Sequence, residues 1–284
     1  MIETIKKLAL VSRPVSWVNT AYPFAAAFLV SGGQLSPTFF IATFYFLIPY
    51  NLLMYGVNDV FDYESDIRNP RKGGIEGMKE QRAFHPTILK AIIISNVPFV
   101  VYLLITGTAI SNAVLLVLLF FVVAYSVAGL RFKEKPFLDS ATSSIHFVGP
   151  LVYGLSFTQI TAEALPIVVA FFLWGMASHA FGAVQDIIPD RKGKLSSIAT
   201  FLGAQKTIIF CSVLYLMASI LLLIQGMSVA IVGLAGLIYF VNSIMFINID
   251  DQHSFKANVG WRRFIWLNLF VGFVVTVVLI YQLI

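Results

Sequence analysis

Charged residues and cysteine are both scarce in this chain of 284 residues. Only 12% of the residues are charged, 58% are hydrophobic, and the mean hydropathy is +0.86. A soluble domain of this size cannot bury so much apolar surface, so the composition predicts a protein that crosses a membrane several times. The single cysteine, Cys211, excludes an intrachain disulfide, and its apolar surroundings predict a small buried residue.

Apolar stretches long enough to span a membrane recur along the whole chain, and no soluble domain separates them. We therefore predict an all-α fold, with nine transmembrane helices and a cytoplasmic cap in a single membrane domain, residues 1–284. The predicted spans are 14–31, 37–57, 87–106, 109–130, 141–160, 164–184, 207–225, 228–248 and 264–284.

The distribution of basic residues predicts the orientation in the membrane. Nine spans place every lysine and arginine on one side, in the amino terminus and the loops 58–86, 131–140, 185–206 and 249–263, with Lys90 just inside the span 87–106. By the positive-inside rule that side is cytoplasmic, so an integral protein of the cell membrane is predicted, with its carboxyl terminus outside. The net charge of +5 does not indicate nucleic-acid binding, because the basic residues border membrane segments.

The second predicted span ends in an acidic cluster. Asn58 and Asp59 are followed by Asp62 and Asp66. On a helix the three aspartates occupy positions i, i+3 and i+7, so they share one face. Three carboxylates on one face repel each other unless a cation lies among them. The cluster therefore predicts a cation site at the mouth of a membrane helix.

A smaller acidic cluster, Asp186 and Asp190, closes the sixth predicted span. Each cluster is followed by a basic turn that contains glycine: Arg71-Lys72-Gly73-Gly74 after the first and Arg191-Lys192-Gly193-Lys194 after the second. This repetition indicates two related halves, which would bring the clusters face to face. Mg²⁺ prefers carboxylate oxygens and completes its shell with water and phosphate oxygens. The two clusters thus predict a site for Mg²⁺ and a diphosphate.

The sequence Asn58-Asp59-x-x-Asp62-x-x-x-Asp66 resembles the NDxxDxxxD motif of the UbiA superfamily of intramembrane prenyltransferases. Asp186-x-x-x-Asp190 resembles the second aspartate motif of that superfamily. The resemblance implies a helical bundle around a central cavity that opens to lipid. It also implies Mg²⁺-dependent transfer of an isoprenyl group from its diphosphate to a lipophilic acceptor in the bilayer. The catalytic residues it implies are Asn58, Asp59, Asp62, Asp66, Asp186 and Asp190, with the five aspartates as metal ligands.

Other residues resemble substrate-binding positions of the superfamily. Arg13 and Asn19 lie at the start of the first span, and Tyr125 stands where the superfamily has a tyrosine. The basic residues after Tyr125 are Arg131 and Lys133, further along than the superfamily's lysine, which comes four residues after its tyrosine. The complete set predicted to contact substrate is Arg13, Asn19, Arg71, Lys72, Tyr125, Arg131, Lys133, Arg191, Lys192 and Lys194.

Two loops, Asn69–Gly77 and Arg131–Ser140, resemble the lycopene elongase branch of the superfamily. In that branch the donor is dimethylallyl diphosphate and the acceptor is a long apolar polyene. One alternative is prenylation of an aromatic ring in quinone biosynthesis. Another is a cation-coupled transporter, because acidic residues within membranes often mark ion pathways. The acidic residues here lie at one end of the spans, which favours an enzyme.

Overall fold

The protein is described by a computed structural model that covers residues 2–64, 81–158 and 160–283. Helices, turns and short loops make up these ranges, and they contain no strand, which confirms the all-α prediction. The α-helices are α1 Ile2–Val11, α2 Trp17–Val30, α3 Pro37–Leu47, α4 Pro49–Phe61, α5 His85–Thr106, α6 Ala109–Ser126, α7 Leu138–Ser156, α8 Leu165–Val184, α9 Ile187–Lys192, α10 Ile198–Leu202, α11 Ala204–Leu223, α12 Met227–Ile244 and α13 Asn258–Leu283.

Seven helical stretches of the described chain are long and apolar enough to cross a membrane. They correspond to the predicted spans other than 14–31 and 141–160. The first of these forms α2, which has only 14 residues, after a 3₁₀ turn at Pro14–Ser16. The second corresponds to α7, whose serine, threonine and histidine side chains lower its hydropathy. The total of nine spans therefore stays a prediction.

The chain divides into two compact units. The first consists of Met1–Arg131 and His146–Ile160, and the second of Phe132–Ile145 and Thr161–Ile284. The first acidic cluster belongs to the first unit, at the end of α4. The second cluster belongs to the second unit, after α8. The prediction of one domain over the whole chain stays a prediction.

The second predicted span consists of two helices, α3 and α4, that meet at Pro49. Proline has no N–H, and its ring clashes with the preceding turn, so the helix cannot continue through it. Asn51 Nδ2 donates to the carbonyls of Phe46 and Leu47 at 2.9 and 3.1 Å, and Thr20 Oγ1 donates to Phe46 at 2.6 Å. The break is thus satisfied inside the protein, as a membrane requires. It fixes the start of the helix that ends in the first acidic cluster.

Each unit has its own buried core. In the first unit, the ring of Phe46 lies 5.2 Å from that of Phe24 and 5.5 Å from that of Tyr153, centre to centre. In the second unit, Phe181 of α8 and Tyr215 of α11 are buried in one apolar cluster. Small residues of α8, such as Ala177, allow close packing in this core. The acidic segment of each unit therefore extends from a packed helix.

Candidate active site

The carboxyl-terminal end of α4 carries the first acidic cluster. Asn58 and Asp59 lie in its last turn, and the amide of Asp62 donates to the Asn58 carbonyl at 2.9 Å. The carboxylates of Asp59 and Asp62 are both buried. Asn58 Nδ2 donates to Ser126 Oγ of α6 at 3.0 Å, which fixes the orientation of the amide. Burying an ionised carboxylate costs on the order of several kcal/mol, so each one requires a cationic partner.

Arg13 is the cationic partner of Asp59. Its Nη2 lies 2.9 Å from Asp59 Oδ1, and its guanidinium carbon lies 4.2 Å from the centre of the Tyr55 ring. Arg13 has a φ of 52°, a left-handed conformation that costs a non-glycine residue roughly 1 kcal/mol. Such strain persists only where the surrounding structure maintains it, and it is common at functional positions. Arg13, predicted to contact substrate, is thus held against a predicted metal ligand.

Arg131 has the same relation to Asp62. Its Nη2 lies 3.8 Å from Asp62 Oδ1, a separation too long for a hydrogen bond but close enough for electrostatic attraction. Arg131 also has a positive φ, 39°. Tyr125, six residues earlier, packs edge-on against His146 with 5.1 Å between ring centres. The structure therefore brings Arg131 to the first acidic cluster and places Tyr125 against α7.

Five more residues were predicted to bind the metal or the substrate. Asp66, Arg71 and Lys72 lie outside the described residues, and their roles stay predictions. Asn19 lies on α2 with an exposed side chain. Lys133 is half-buried in the 3₁₀ turn Phe132–Glu134, which belongs to the second unit.

The second acidic cluster lies where α8 gives way to α9. Asp186 immediately precedes α9, and the amide of Asp190 donates to the Asp186 carbonyl at 2.8 Å. One helical turn therefore separates the two carboxylates. Both side chains are half-buried. The amide of Leu195 donates to the Asp190 carbonyl at 2.9 Å, which closes the turn after α9. The approach of this cluster to the first stays a prediction.

The basic residues at the end of α9 and just after it include one, Arg191, that is paired within the protein. Arg191 Nη1 lies 2.6 Å from Asp251 Oδ2, and Arg191 Nη2 donates to the Thr200 carbonyl at 3.1 Å. Lys192 and Lys194 are exposed. The two lysines are therefore better placed than Arg191 to meet an incoming anion.

The donor chemistry of the clusters fits Mg²⁺. Mg²⁺ usually takes one or two carboxylates, with water and phosphate oxygens completing six ligands. Asp59 with Asp62, and Asp186 with Asp190, each supply such a pair. Within the described ranges, three or more histidine, cysteine, aspartate or glutamate side chains do not come together anywhere in an arrangement that could hold a metal, so each site consists of a pair. The Arg13 guanidinium shows that a cation is accommodated against the Asp59 carboxylate.

Aromatic rings beside the first cluster also face cations. The Arg13 guanidinium lies over the Tyr55 ring, and the Arg82 guanidinium carbon lies 5.4 Å from the centre of the Tyr63 ring. Cation–π attraction of this kind stabilises positive charge in an apolar setting.

Two partners of site residues could not be predicted from sequence. Ser126 directly follows Tyr125, but nothing in the sequence pairs it with Asn58, which lies 68 positions away. Asp251 lies 60 positions from Arg191 in a loop whose acidic residues suit solvent exposure. Both contacts depend on tertiary packing.

Comparison with known proteins identifies relatives along nearly the whole chain. The UbiA prenyltransferase family model matches residues 20–269. A lycopene elongase/hydratase from Corynebacterium glutamicum is 49% identical over 282 residues, which are 99% of this chain and 98% of the relative. A lycopene elongase/hydratase from Haloarcula japonica is 34% identical over 216 residues, or 75% of this chain and 72% of the relative.

Solved structures share the fold at low sequence identity. A UbiA homolog from Archaeoglobus fulgidus bound to GPP and Mg²⁺ has a TM-score of 0.67 and 16% identity, covering 93% of this chain and 99% of that one. The same homolog bound to DMAPP and Mg²⁺ has a TM-score of 0.66 and 16% identity, covering 93% of this chain and 98% of that one. At this identity the likeness establishes the fold.

An all-helical membrane fold with a buried aspartate cluster at the end of an apolar helix defines, together with these matches, an intramembrane prenyltransferase. The chain belongs to the UbiA prenyltransferase family. Its similarity to lycopene elongase/hydratases over nearly the full length confirms the predicted branch.

Proposed function

We propose that the protein transfers a dimethylallyl group from dimethylallyl diphosphate to lycopene or a related carotenoid, in a Mg²⁺-dependent reaction. The full-length similarity to proteins named lycopene elongase/hydratase supports this acceptor. The structural neighbour with bound DMAPP and Mg²⁺ supports the donor and the metal. The observation that carries the proposal within this chain is the buried Asp59 carboxylate held by Arg13.

The metal would supply Lewis-acid stabilisation of the departing diphosphate. Asp59, Asp62 and Asp66 would hold Mg²⁺ in the first unit, and Asp186 and Asp190 would hold Mg²⁺ in the second. Asn58, whose amide is oriented by Ser126, lies at the same end of α4 and would assist in binding there.

Two arginines exchange partners when substrate arrives. Before binding, Arg13 and Arg131 offset the charges of Asp59 and Asp62. With Mg²⁺ bound to the carboxylates, both guanidinium groups would be available to the diphosphate, since guanidinium matches phosphate oxygens in geometry and charge. Further contacts to the diphosphate and donor come from Arg71, Lys72, Lys133, Lys192, Lys194, Tyr125 and Asn19.

The reaction breaks the bond between C1 of the donor and its bridging oxygen, and the electron pair leaves with the diphosphate. A terminal double bond of the polyene attacks C1 and forms the new carbon–carbon bond. The resulting cation on the acceptor loses a proton or captures water and then loses a proton. Tyrosine rings beside the cluster stabilise positive charge, and exclusion of bulk water protects the first cation from hydrolysis.

The topology that we propose has nine spans around a central cavity open to lipid. It includes α2 and α7 besides the seven long apolar stretches of the described chain. The amino terminus and the acidic loops are cytoplasmic, and the carboxyl terminus is outside. A lipophilic acceptor then reaches the donor from the bilayer, while the charged donor arrives from the cytoplasm.

The test is transfer by the purified protein in liposomes that contain lycopene. With Mg²⁺ and dimethylallyl diphosphate, we expect a carotenoid heavier by one or two five-carbon units, and no product when EDTA is added. A parallel reaction offers an aromatic acid as the acceptor. If only the aromatic acid gives a prenylated product, the acceptor is an aromatic compound and not a carotenoid. Cation-driven uptake by the liposomes without any prenyl transfer would refute the enzymatic function.

A further inference from the structure

A buried carboxylate outside both acidic clusters contacts the segment that follows the second one. Asp139, at the start of α7, is 0% exposed. Its Oδ2 accepts a hydrogen bond from the Ile198 amide at 2.7 Å. Its Oδ1 accepts from the Ser140 amide at 2.7 Å. Asp139 therefore joins α7 to α10, which is 59 positions further along the chain.

The Ile198 amide is the first donor of α10 and has no helical partner of its own. Ser197, the N-cap residue, accepts from the Thr200 amide at 3.2 Å, so it does not serve Ile198. Asp139 supplies the missing acceptor from another part of the unit. Because Ile198 is also fully buried, water cannot replace that acceptor.

A second carboxylate, that of Asp251, contacts the same segment at two points. Asp251 Oδ1 accepts from the Ala204 amide, the first of α11, at 2.6 Å, and Asp251 Oδ2 pairs with Arg191. Gly203 precedes that amide with a φ of 79°, and a Cβ there would lie 3.1 Å from Asp251 Oδ1. Two carboxylates from outside the segment therefore contact it at three points, Arg191, Ile198 and Ala204.

The two contacts differ in strength because they differ in burial. The Arg191 and Asp251 side chains are 44% and 35% exposed, so water and salt screen their attraction. Asp139 is completely buried, and hydrogen bonds are stronger in such an environment, which water and salt do not screen. Asp139 is therefore the main restraint on the segment, and Asp251 is the weaker one.

We propose that Asp139 is a positioning residue for the second metal-binding pair. Through Ile198 and α10 it fixes the turn that follows α9, and thereby holds Asp186 and Asp190 in place before the metal arrives. This inference rests on the proposed function, in which those two aspartates bind Mg²⁺. Removing outer partners of metal ligands typically lowers metal affinity by about 10- to 100-fold, and the lower end applies to a residue that acts through a helix.

The variant that tests the proposal is Asp139→Asn. It keeps the shape of the side chain, but its NH₂ group cannot accept, so one of the two amides loses its acceptor. Ser144→Ala is the matched control, since Ser144 is equally buried on α7 but donates to the Phe172 carbonyl, away from α10. Ile198→Pro removes the donor and leaves Asp139 intact. Proline suits the first helical position, and Ser197 already has the extended backbone that precedes a proline.

Hydrogen–deuterium exchange of the metal-free protein provides the first readout. We expect faster exchange over residues 195–203 in Asp139→Asn and Ile198→Pro, and wild-type exchange there in Ser144→Ala. Mg²⁺ with inorganic diphosphate then serves as the probe of residues 186–192. The Mg²⁺ concentration that gives half-maximal protection should rise about tenfold in Asp139→Asn and less than about threefold in Asp251→Asn.

The same variants are compared in prenyl transfer. The Mg²⁺ requirement of turnover should rise about tenfold in Asp139→Asn, with an unchanged KM for the carotenoid. Unchanged exchange and an unchanged Mg²⁺ requirement in both Asp139→Asn and Ile198→Pro would overturn the proposal. If wild-type protein binds Mg²⁺ and diphosphate but transfers nothing, the proposed function fails, and the protection data alone decide the role of Asp139.

Discussion

The contact between Arg13 and Asp59 predicts a large and strongly coupled effect on stability. The two side chains are 16% and 4% exposed, and 2.9 Å separates their charged atoms. Removing one partner of a buried pair costs about 3–5 kcal/mol, because the other charge stays buried without compensation. The partial exposure of Arg13 places Arg13→Ala near the lower limit, about 3 kcal/mol.

Neutralising Asp59 should remove most of that cost. In an Asp59→Asn background, Arg13→Ala leaves no uncompensated carboxylate, so the second substitution should cost only about 1 kcal/mol. The coupling energy of the double-mutant cycle is then about 2 kcal/mol. Arg13→Gly provides an internal check, because it loses the same ion pair but relieves the left-handed strain, and should be about 1 kcal/mol more stable than Arg13→Ala.

The assay is equilibrium unfolding of the four proteins in detergent with EDTA present. Arg82→Ala is the control, since Arg82 pairs with Glu64 on the surface, where both side chains are about two-thirds exposed, and should change stability by under about 1 kcal/mol. We also expect Mg²⁺ to stabilise Arg13→Ala more than wild type, because the cation replaces the lost guanidinium. If the costs of the two single substitutions add up to the cost of the double variant within about 0.5 kcal/mol, charge compensation between Arg13 and Asp59 is refuted.

Two further predictions concern Arg131 and Asp251. Arg131→Ala should raise the KM for dimethylallyl diphosphate about tenfold in steady-state assays and leave the KM for the carotenoid unchanged, because one charged contact to the diphosphate is lost; an unchanged donor KM would contradict its role. Burial tends to raise the pKa of Asp251, but hydrogen bonds from the Ala204 amide and Arg191 outweigh it and hold the pKa below its usual value. A lowered folded-state pKa stabilises the protein above the unfolded pKa of about 4, and that stabilisation is lost as pH falls through the folded value. The free energy of unfolding, measured from pH 6 to pH 3, should therefore depend less on pH in Asp251→Asn than in wild type. An equal dependence in both proteins would show that the contacts of Asp251 do not stabilise the fold.

The acidic clusters could be predicted from sequence because their information is local. Asp59 and Asp62 share a helix face by spacing alone, and the structure places both at the buried end of α4. A proline such as Pro49 indicates from the sequence that a helix is interrupted, but only the structure shows that Asn51 satisfies the carbonyls at the break. The spacing of residues identifies which of them share a helix face, whereas the residues that contact this face come from distant segments of the chain.

Arg13 and Asp139 illustrate what local patterns leave out. Arg13 was predicted to contact substrate, and its pairing with Asp59 depends on the turn that brings the chain from α1 to α2. Asp139 was predicted only to lie in the loop 131–140, and its contact with Ile198 depends on the packing of α10 against the start of α7. Long-range hydrogen bonds of buried carboxylates have no signature in a single sequence.

The most direct test of the central claim is prenyl transfer by Asp59→Asn and Asp186→Asn. Both variants are assayed in lycopene-containing liposomes with Mg²⁺ and dimethylallyl diphosphate, after circular dichroism shows wild-type helicity. We expect each substitution to abolish the five-carbon extension of the carotenoid, since each removes a carboxylate from a metal-binding pair. Transfer at the wild-type rate by both variants, with the metal chelated as well, would contradict the account.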